Sequence, residues 1–384
     1  MLIAFLEFLE WYLERSGSDP DVGPLRVFYY ISVRMGGALI FAFVLSLLIG
    51  PRTIGLIRAI GAGQVIRRAK SAGAISLHDM HGAKEGTPSM GGFLILATML
   101  SSVLVFCRLG SGLVWLLIAV SIAFAGLGFY DDYQKIAKRN HLGLSARGKI
   151  LGQTCIGVLL ALALMFPDWD VSYAPTDSQG YDYLLIPFLK NLYLPLGFGF
   201  ILLVVLVTIC TSNAVNLTDG LDGLAIGTTL TSTAAFAIMA YFASRADYAG
   251  YLFVPHVPGA SEIVVFGGAL FGASLGFLWF NSHPAEIFMG DTGSMMLGGL
   301  LGAIALAIKQ ELLLVLVGGI FVVEALSVII QVGSFKLRGK RVFLMSPLHH
   351  HFEKKGLHES KIIIRFWTIS ILLALLGIAT LKLR

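Results

Sequence analysis

The stretch Gly112–Lys135, "GLVWLLIAVSIAFAGLGFYDDYQK", carries no charge until two adjacent aspartates and a lysine appear at its end. An apolar run of this length spans the ~30 Å hydrocarbon core of a bilayer as one helix. It is too long and too uniformly apolar for an ordinary core helix, so lipid is its natural solvent.

The rest of the chain repeats the pattern. Of its 384 residues, 56% are hydrophobic and 13% charged, about half the charged share of an average soluble domain. Charge-poor windows predict ten transmembrane helices, at roughly 27–50, 89–107, 109–130, 149–166, 192–213, 223–244, 262–280, 292–308, 312–334 and 362–381. The expected fold is an all-α integral membrane protein with a single polytopic domain. Arg34 falls inside the first window, and Arg365 lies near enough to the edge of the last to snorkel.

Ten spans put both termini on one side of the membrane. The loops at about 51–88, 131–149, 213–223, 281–292 and 335–361 fall on the other side. Three of these loops carry 6, 5 and 7 of the chain's 28 Lys and Arg residues. The positive-inside rule makes these five loops cytoplasmic and leaves the termini on the periplasmic or outer side. Residues 1–15 carry Glu7, Glu10 and Glu14 at helical spacing and read as an interfacial amphipathic helix, not a cleavable signal. Segment 52–70 mixes apolar and basic residues as a surface helix does. Segment 167–191 predicts a small external β-hairpin around Pro175–Gly180. Cys107, Cys155 and Cys210 lack ligand spacing and read as small buried hydrophobes.

The unusual polar residues collect in the same five loops. Asp131 and Asp132 end an apolar span, where like charges repel and desolvation is costly. They are either a solvated helix end or a site for a divalent cation or a substrate proton. Lys135, one turn on, can pair with either or hold a phosphate. "NAVNLTDGLDGL" places Asn213, Asn216, Asp219 and Asp222 three residues apart. A regular helix would carry that series around to its far side, so Gly220 and Gly223 mark an end or loosening of the helix. A polar turn accounts for the residue types, but not for an acidic turn without Lys or Arg. A ligand or metal does.

In "FNSHPAEIFMGDTGS", Asp291 is either the N-cap of the following helix or a ligand, with Gly290 and Gly293 letting phosphate approach. Asn281 opens the same stretch. Consecutive His349, His350 and His351 cannot form a zinc site alone, but imidazole can bind phosphate or move a proton. An exposed basic loop is the other reading. Lys84 sits in "HGAKEGTPSMGG". Glu324, mid-span, is a structural hydrogen-bond partner or part of a groove. Carboxylates from separate loops suit Mg²⁺ with phosphate.

At "DDYQK", "NAVNLTDGLDGL", "FNSHPAEIFMGDTGS" and "PLHHHFEKKG" the chain resembles the polyprenyl-phosphate N-acetylhexosamine-1-phosphate transferases along nearly its whole length. One departure is Ser89, where the family usually shows Thr. "PLHHHFE" resembles the branch that uses the UDP-MurNAc-pentapeptide. The resemblance implies Mg²⁺-dependent transfer of phospho-N-acetylmuramoyl-pentapeptide to undecaprenyl phosphate, giving lipid I and UMP, in the bacterial cytoplasmic membrane. It implies Asp291 as the metal ligand, and Asp131 and Asp132 orienting or deprotonating the acceptor. Lys84 and Lys135 would hold phosphates. Asn213, Asn216, Asp219 and Asp222 would line the uridine and diphosphate pocket. Asn281 and the run of His349, His350 and His351 would complete the sugar-phosphate side, with His350 among the catalytic residues. A homodimer is implied, and no nucleic-acid partner is expected. Transfer of N-acetylglucosamine-1-phosphate and cation- or proton-coupled transport are the alternatives. One-sided carboxylates and the lack of an inverted repeat count against transport.

Overall fold

Lipid forces each backbone N–H and C=O to find a partner within its own segment, and helices do this without edges. The computed structural model describes residues 1–16, 23–60, 86–137, 143–165, 180–187, 189 and 192–383. The helices run in chain order as α1 (Leu2–Arg15), α2 (Ile31–Ala59), α3 (Gly92–Phe106), α4 (Gly112–Ala137), α5 (Ala146–Met165), α6 (Gly199–Thr218), α7 (Leu224–Ser244), α8 (Ala246–Leu252), α9 (Ala260–Asn281), α10 (Gly290–Ala307), α11 (Leu314–Val317), α12 (Gly319–Arg338), α13 (Leu348–Lys354) and α14 (Glu359–Thr380).

Among the described residues, nine helices are long and apolar enough to cross a membrane: α2, α4, α5, α6, α7, α9, α10, α12 and α14. The protein is thus a multi-pass membrane protein. The second predicted span, realised as α3, has only 15 residues, about 22 Å of helix. The bundle is layered around α10. Its apolar window is 89% buried, and those of α9 and α7 are 78% and 72% buried, against 22% for α12 and 28% for α2 and α5. Small residues bring the central helices close. Gly268, Gly272 and Gly276 of α9 face Met35, Leu39 and Ser46 of α2, where any Cβ would overlap backbone or side chain.

Four sequence expectations change here. The ninth span is broken: α11 ends at Val317, and α12 begins at Gly319. A hairpin exists, but its antiparallel strands are β1 (Tyr183–Leu185) and β2 (Tyr193–Pro195). Their connection lies at 186–192, beyond the expected turn, and residues 175–179 of that turn lie outside the described residues. Cys107 is buried as expected, but Cys155 and Cys210 are exposed on their helices. An apolar thiol is as well placed against lipid as in a core. The start of the expected surface helix at 52–70 continues α2 to Ala59, and its remainder from 61 lies outside the described residues.

Arg34, the charge inside the first predicted window, is only 1% exposed and has a dedicated partner. Its guanidinium donates to both oxygens of Glu262 on α9 at 2.8 Å each. The Arg108 N–H donates to the same carboxylate at 2.8 Å, and Phe106 O accepts from Arg34 at 3.3 Å. A paired, hydrogen-bonded charge avoids the penalty that an isolated one would carry in this environment. Helix α1 buries Ile3 and Leu6 on one side and leaves Phe5, Phe8 and Trp11 exposed.

Candidate active site

Asp131 and Asp132 lie on the last two turns of α4, and both are buried. Gly128, one turn earlier, determines what they meet. A Cβ there would overlap the Asp291 carbonyl, so only glycine lets α4 press against the start of α10. That approach puts the Asp132 carboxylate under the first turn of α10. Its Oδ1 accepts the Asp291 N–H at 3.2 Å. Its Oδ2 accepts the Thr292 N–H at 2.9 Å and the Thr292 hydroxyl at 2.8 Å. Asp132 therefore satisfies amide donors that the helix itself leaves unpaired, at the positive end of its dipole. The N-cap role open to Asp291 is not taken: Met289 is the N-cap, and Asp291 lies in the first turn.

The Asp291 carboxylate is thereby free to face two lysines. Oδ2 accepts from Lys149 at 2.6 Å, and Oδ1 is 3.1 Å from Lys135 Nζ. Lys135 also lies 2.5 Å from Asp131 and 3.5 Å from Asp132. Lys149 is 3.4 Å from Asp131, whose Oδ1 further accepts the Leu144 N–H at 2.8 Å. Each of Asp131, Asp132 and Asp291 can offer an oxygen within 4.8 Å of the others. Three carboxylates and two ammonium groups leave a net negative centre of hard oxygens. A divalent cation fits that donor set, and the lysines are free to turn to phosphate once it binds.

The sequence reading missed Lys149, which stood at the edge of a predicted span. Its signal was a cation in the first turn of a helix, where the dipole disfavours one.

The Asn/Asp stretch breaks where Gly220 and Gly223 predicted. Helix α6 ends at Thr218, and Gly223 adopts φ +80° ahead of α7. Asn216 donates to Ser294 Oγ at 2.9 Å, one turn beyond Asp291 on α10. Asn213 donates to Gln153 Oε1 at 3.0 Å. Asp219, beyond the end of α6, belongs to the same field as the first cluster. Burial, and then the charges of Asp291, Asp132 and Asp222, push its carboxyl up to about 8.

Asp222 turns the other way. Its Oδ2 accepts the Ala285 N–H at 3.1 Å and lies 3.2 Å from His283 Nδ1, while its own N–H donates to Glu359 at 2.9 Å. Asp222, His283 and Glu359 form a second group with close potential ligand atoms. Asn281 braces the backbone: it accepts from Gly223 N at 3.0 Å and donates to Ile287 O at 2.8 Å. Glu359 was also missed. It reads as an ordinary acid in the first turn of α14 until the fold brings it to Asp222.

The three histidines have three environments. His349 is buried, its ring packed on Gly220 and its Nδ1 3.3 Å from Glu324. His350 Nδ1 lies 2.6 Å from Glu353. His351 Nδ1 accepts the Leu344 N–H at 3.1 Å. Burial and then Lys355 lower its pKa, favouring the neutral ring that this bond requires. Lys84 lies outside the described residues. The end of its loop does not: Pro88 O accepts from Phe288 N and Phe288 O from Gly91 N, both at 2.8 Å, beside Gly290.

Membrane-length helices converging on buried acids and lysines define a multi-pass membrane protein with a site suited to phosphate. The chain belongs to glycosyl transferase family 4, whose sequence profile matches residues 114–309 and so includes the Asp131, Asp132 and Asp291 cluster. It is 48% identical over 361 residues to a phospho-N-acetylmuramoyl-pentapeptide-transferase of Desulfotalea psychrophila (strain LSv54 / DSM 12343). That match covers 94% of this chain and 96% of the relative.

Proposed function

We propose that the protein transfers phospho-N-acetylmuramoyl-pentapeptide from its UDP-linked precursor to undecaprenyl phosphate, producing lipid I and UMP. The observation that carries this reading is the 48% identity, across 94% of the chain, to a relative of that name. The site geometry is what such chemistry needs. An oxygen of the lipid phosphate forms a bond to the sugar-linked phosphorus, and the bond from that phosphorus to the UMP oxygen breaks. Both reactants are anionic, so charge repulsion is the main obstacle, and positioned cations reduce it.

Lys135 and Lys149 hold the phosphates. Asp291 holds Mg²⁺ with help from its neighbouring acids, and Mg²⁺ when bound supplies Lewis-acid stabilisation of phosphate charge. The Asp132 oxygens already serve α10, so orienting the acceptor falls to Asp131. Asn213, Asn216, Asp219 and Asp222 line the nucleotide side. Lys84 holds phosphate with Lys135 and Lys149, and His350 and His351 complete the sugar-phosphate side. Attack is direct, without a covalent enzyme intermediate.

The site opens to the cytoplasm, where the nucleotide precursor is made. α3 completes a set of ten spans in one membrane domain, with the termini and hairpin on the outer side and the chain in the cytoplasmic membrane. Basic loops at 131–149 and 335–361 support this orientation. The resemblance carries a homodimer. The test is UMP release by the purified protein. It should require UDP-MurNAc-pentapeptide, undecaprenyl phosphate and Mg²⁺ together. Release with UDP-N-acetylglucosamine in place of that precursor would overturn the substrate assignment.

A further inference from the structure

We infer that Glu324 is a positioning residue for this reaction: its carboxylate fixes His349 against Gly220 and so seats the histidine segment on the Asn/Asp turn. The inference rests on the proposed transfer only for its kinetic readout. Glu324 is fully buried in α12, nearly two turns past the break at Gly318. Both its oxygens reach the start of α13. Oε2 accepts the Leu348 N–H at 2.7 Å, and Oε1 accepts the His349 N–H at 3.2 Å. Oε2 also lies 3.3 Å from His349 Nδ1.

Helix α13 has seven residues and no side-chain cap of its own, since Pro347 occupies the N-cap. So short a helix is marginal alone, and its leading N–H groups need acceptors from elsewhere. Glu324 supplies them from α12. The far side of the His349 ring meets the chain between Asp219 and Leu221. A Cβ on Gly220 would overlap Nε2. His350, with its ring centroid 4.2 Å from that of His349, is carried by the same short helix. Glu324, His349 and Gly220 thus form a strut between α12 and the turn holding Asp219 and Asp222. Moving one end moves His350 and that turn together.

The test is a double-mutant cycle in the full chain. Glu324→Gln keeps the volume but sets an amide NH₂ against the N–H groups of α13. Misplacement of this kind lowers kcat by about 10- to 100-fold, with each KM within about threefold of the wild type. On a His349→Ala background the same change costs clearly less than on the wild type, because the ring that reaches Gly220 is already gone and only the N–H groups of residues 348 and 349 still depend on Glu324. Losses that multiply in the double variant overturn the inference, as does unchanged kcat in Glu324→Gln. Should Glu324→Gln fail to accumulate, Gly220→Ala carries the test from the other end. It impairs turnover on the wild-type background and is tolerated with His349→Ala.

Amide exchange separates this inference from the transfer reading. Glu324→Gln should speed exchange at Leu348 and His349 by about tenfold or more, whatever the reaction. Unaltered exchange overturns the strut. A wild-type protein that exchanges slowly at those amides but releases no UMP overturns the transfer reading alone.

Discussion

Lys149 is where single-residue electrostatics bear most directly on function. It touches both Asp131 and Asp291, so Lys149→Ala leaves those carboxylates repelling one another and removes a phosphate donor. Turnover should fall by about 10²–10³-fold, while the thermal midpoint stays close to that of the wild type. Near-normal turnover would remove Lys149 from the site. Asp291→Asn should abolish UMP release without loss of folding, and activity at ordinary Mg²⁺ would contradict its ligand role.

Asp219 makes a prediction about pH. Its folded-state value near 8 lies above its ordinary one, so the folded protein holds this proton more tightly than the unfolded chain. The stability it contributes is complete below about pH 4 and is lost as pH rises toward 8. Asp219→Asn should therefore gain more in thermal midpoint over the wild type at high pH than at pH 5. An equal difference at both would refute the assignment.

Legibility at this scale followed a simple rule. Asp131, Asp132, Asp219 and Asp291 stood out because each interrupts or ends apolar sequence. Lys149, Gln153 and Glu359 did not, because each takes its meaning from a partner 60 or more residues away: Asp291, Asn213 and Asp222.

Helices were easier to read than the contacts between them. Apolar length alone located each long helix, because lipid penalises any other backbone arrangement. It could not show the break at Gly318 between α11 and α12, since apolar residues flank it on both sides. Nor could it show the hairpin register, which depends on cross-strand pairing between Tyr183 and Pro195. The approach of α4 to α10 through Gly128 was equally invisible, because a glycine in an apolar run announces no partner.

That approach can be tested. Gly128→Ala forces α4 off Asp291 and weakens the bonds from Asp132 to Thr292. Overpacking of this kind costs about 1–3 kcal/mol and should lower turnover further than stability alone explains. Full activity in the alanine variant would mean that the contact has slack. The Arg34–Glu262 pair is a structural counterpart. Glu262→Ala strands a buried guanidinium and should destabilise the protein by about 3–5 kcal/mol, read as a fall in thermal midpoint without a change in KM.

Across the whole molecule, residues from α4, α5, α6 and α10 meet at one end of the bundle, drawn from positions between 131 and 294. Among the described residues, two groups could hold a cation. Asp131, Asp132 and Asp291 are all-oxygen, as Mg²⁺ prefers. Asp222, His283 and Glu359 include an imidazole and are largely spent on bracing the Asn/Asp turn. The most direct measurement is anomalous scattering at the manganese edge from crystals of the full chain with Mn²⁺ in place of Mg²⁺. One peak bonded to the Asp291 carboxylate is the expected result. A peak at Asp222 and Glu359 with none at Asp291 would contradict the assignment of this centre as the place where the phosphates meet.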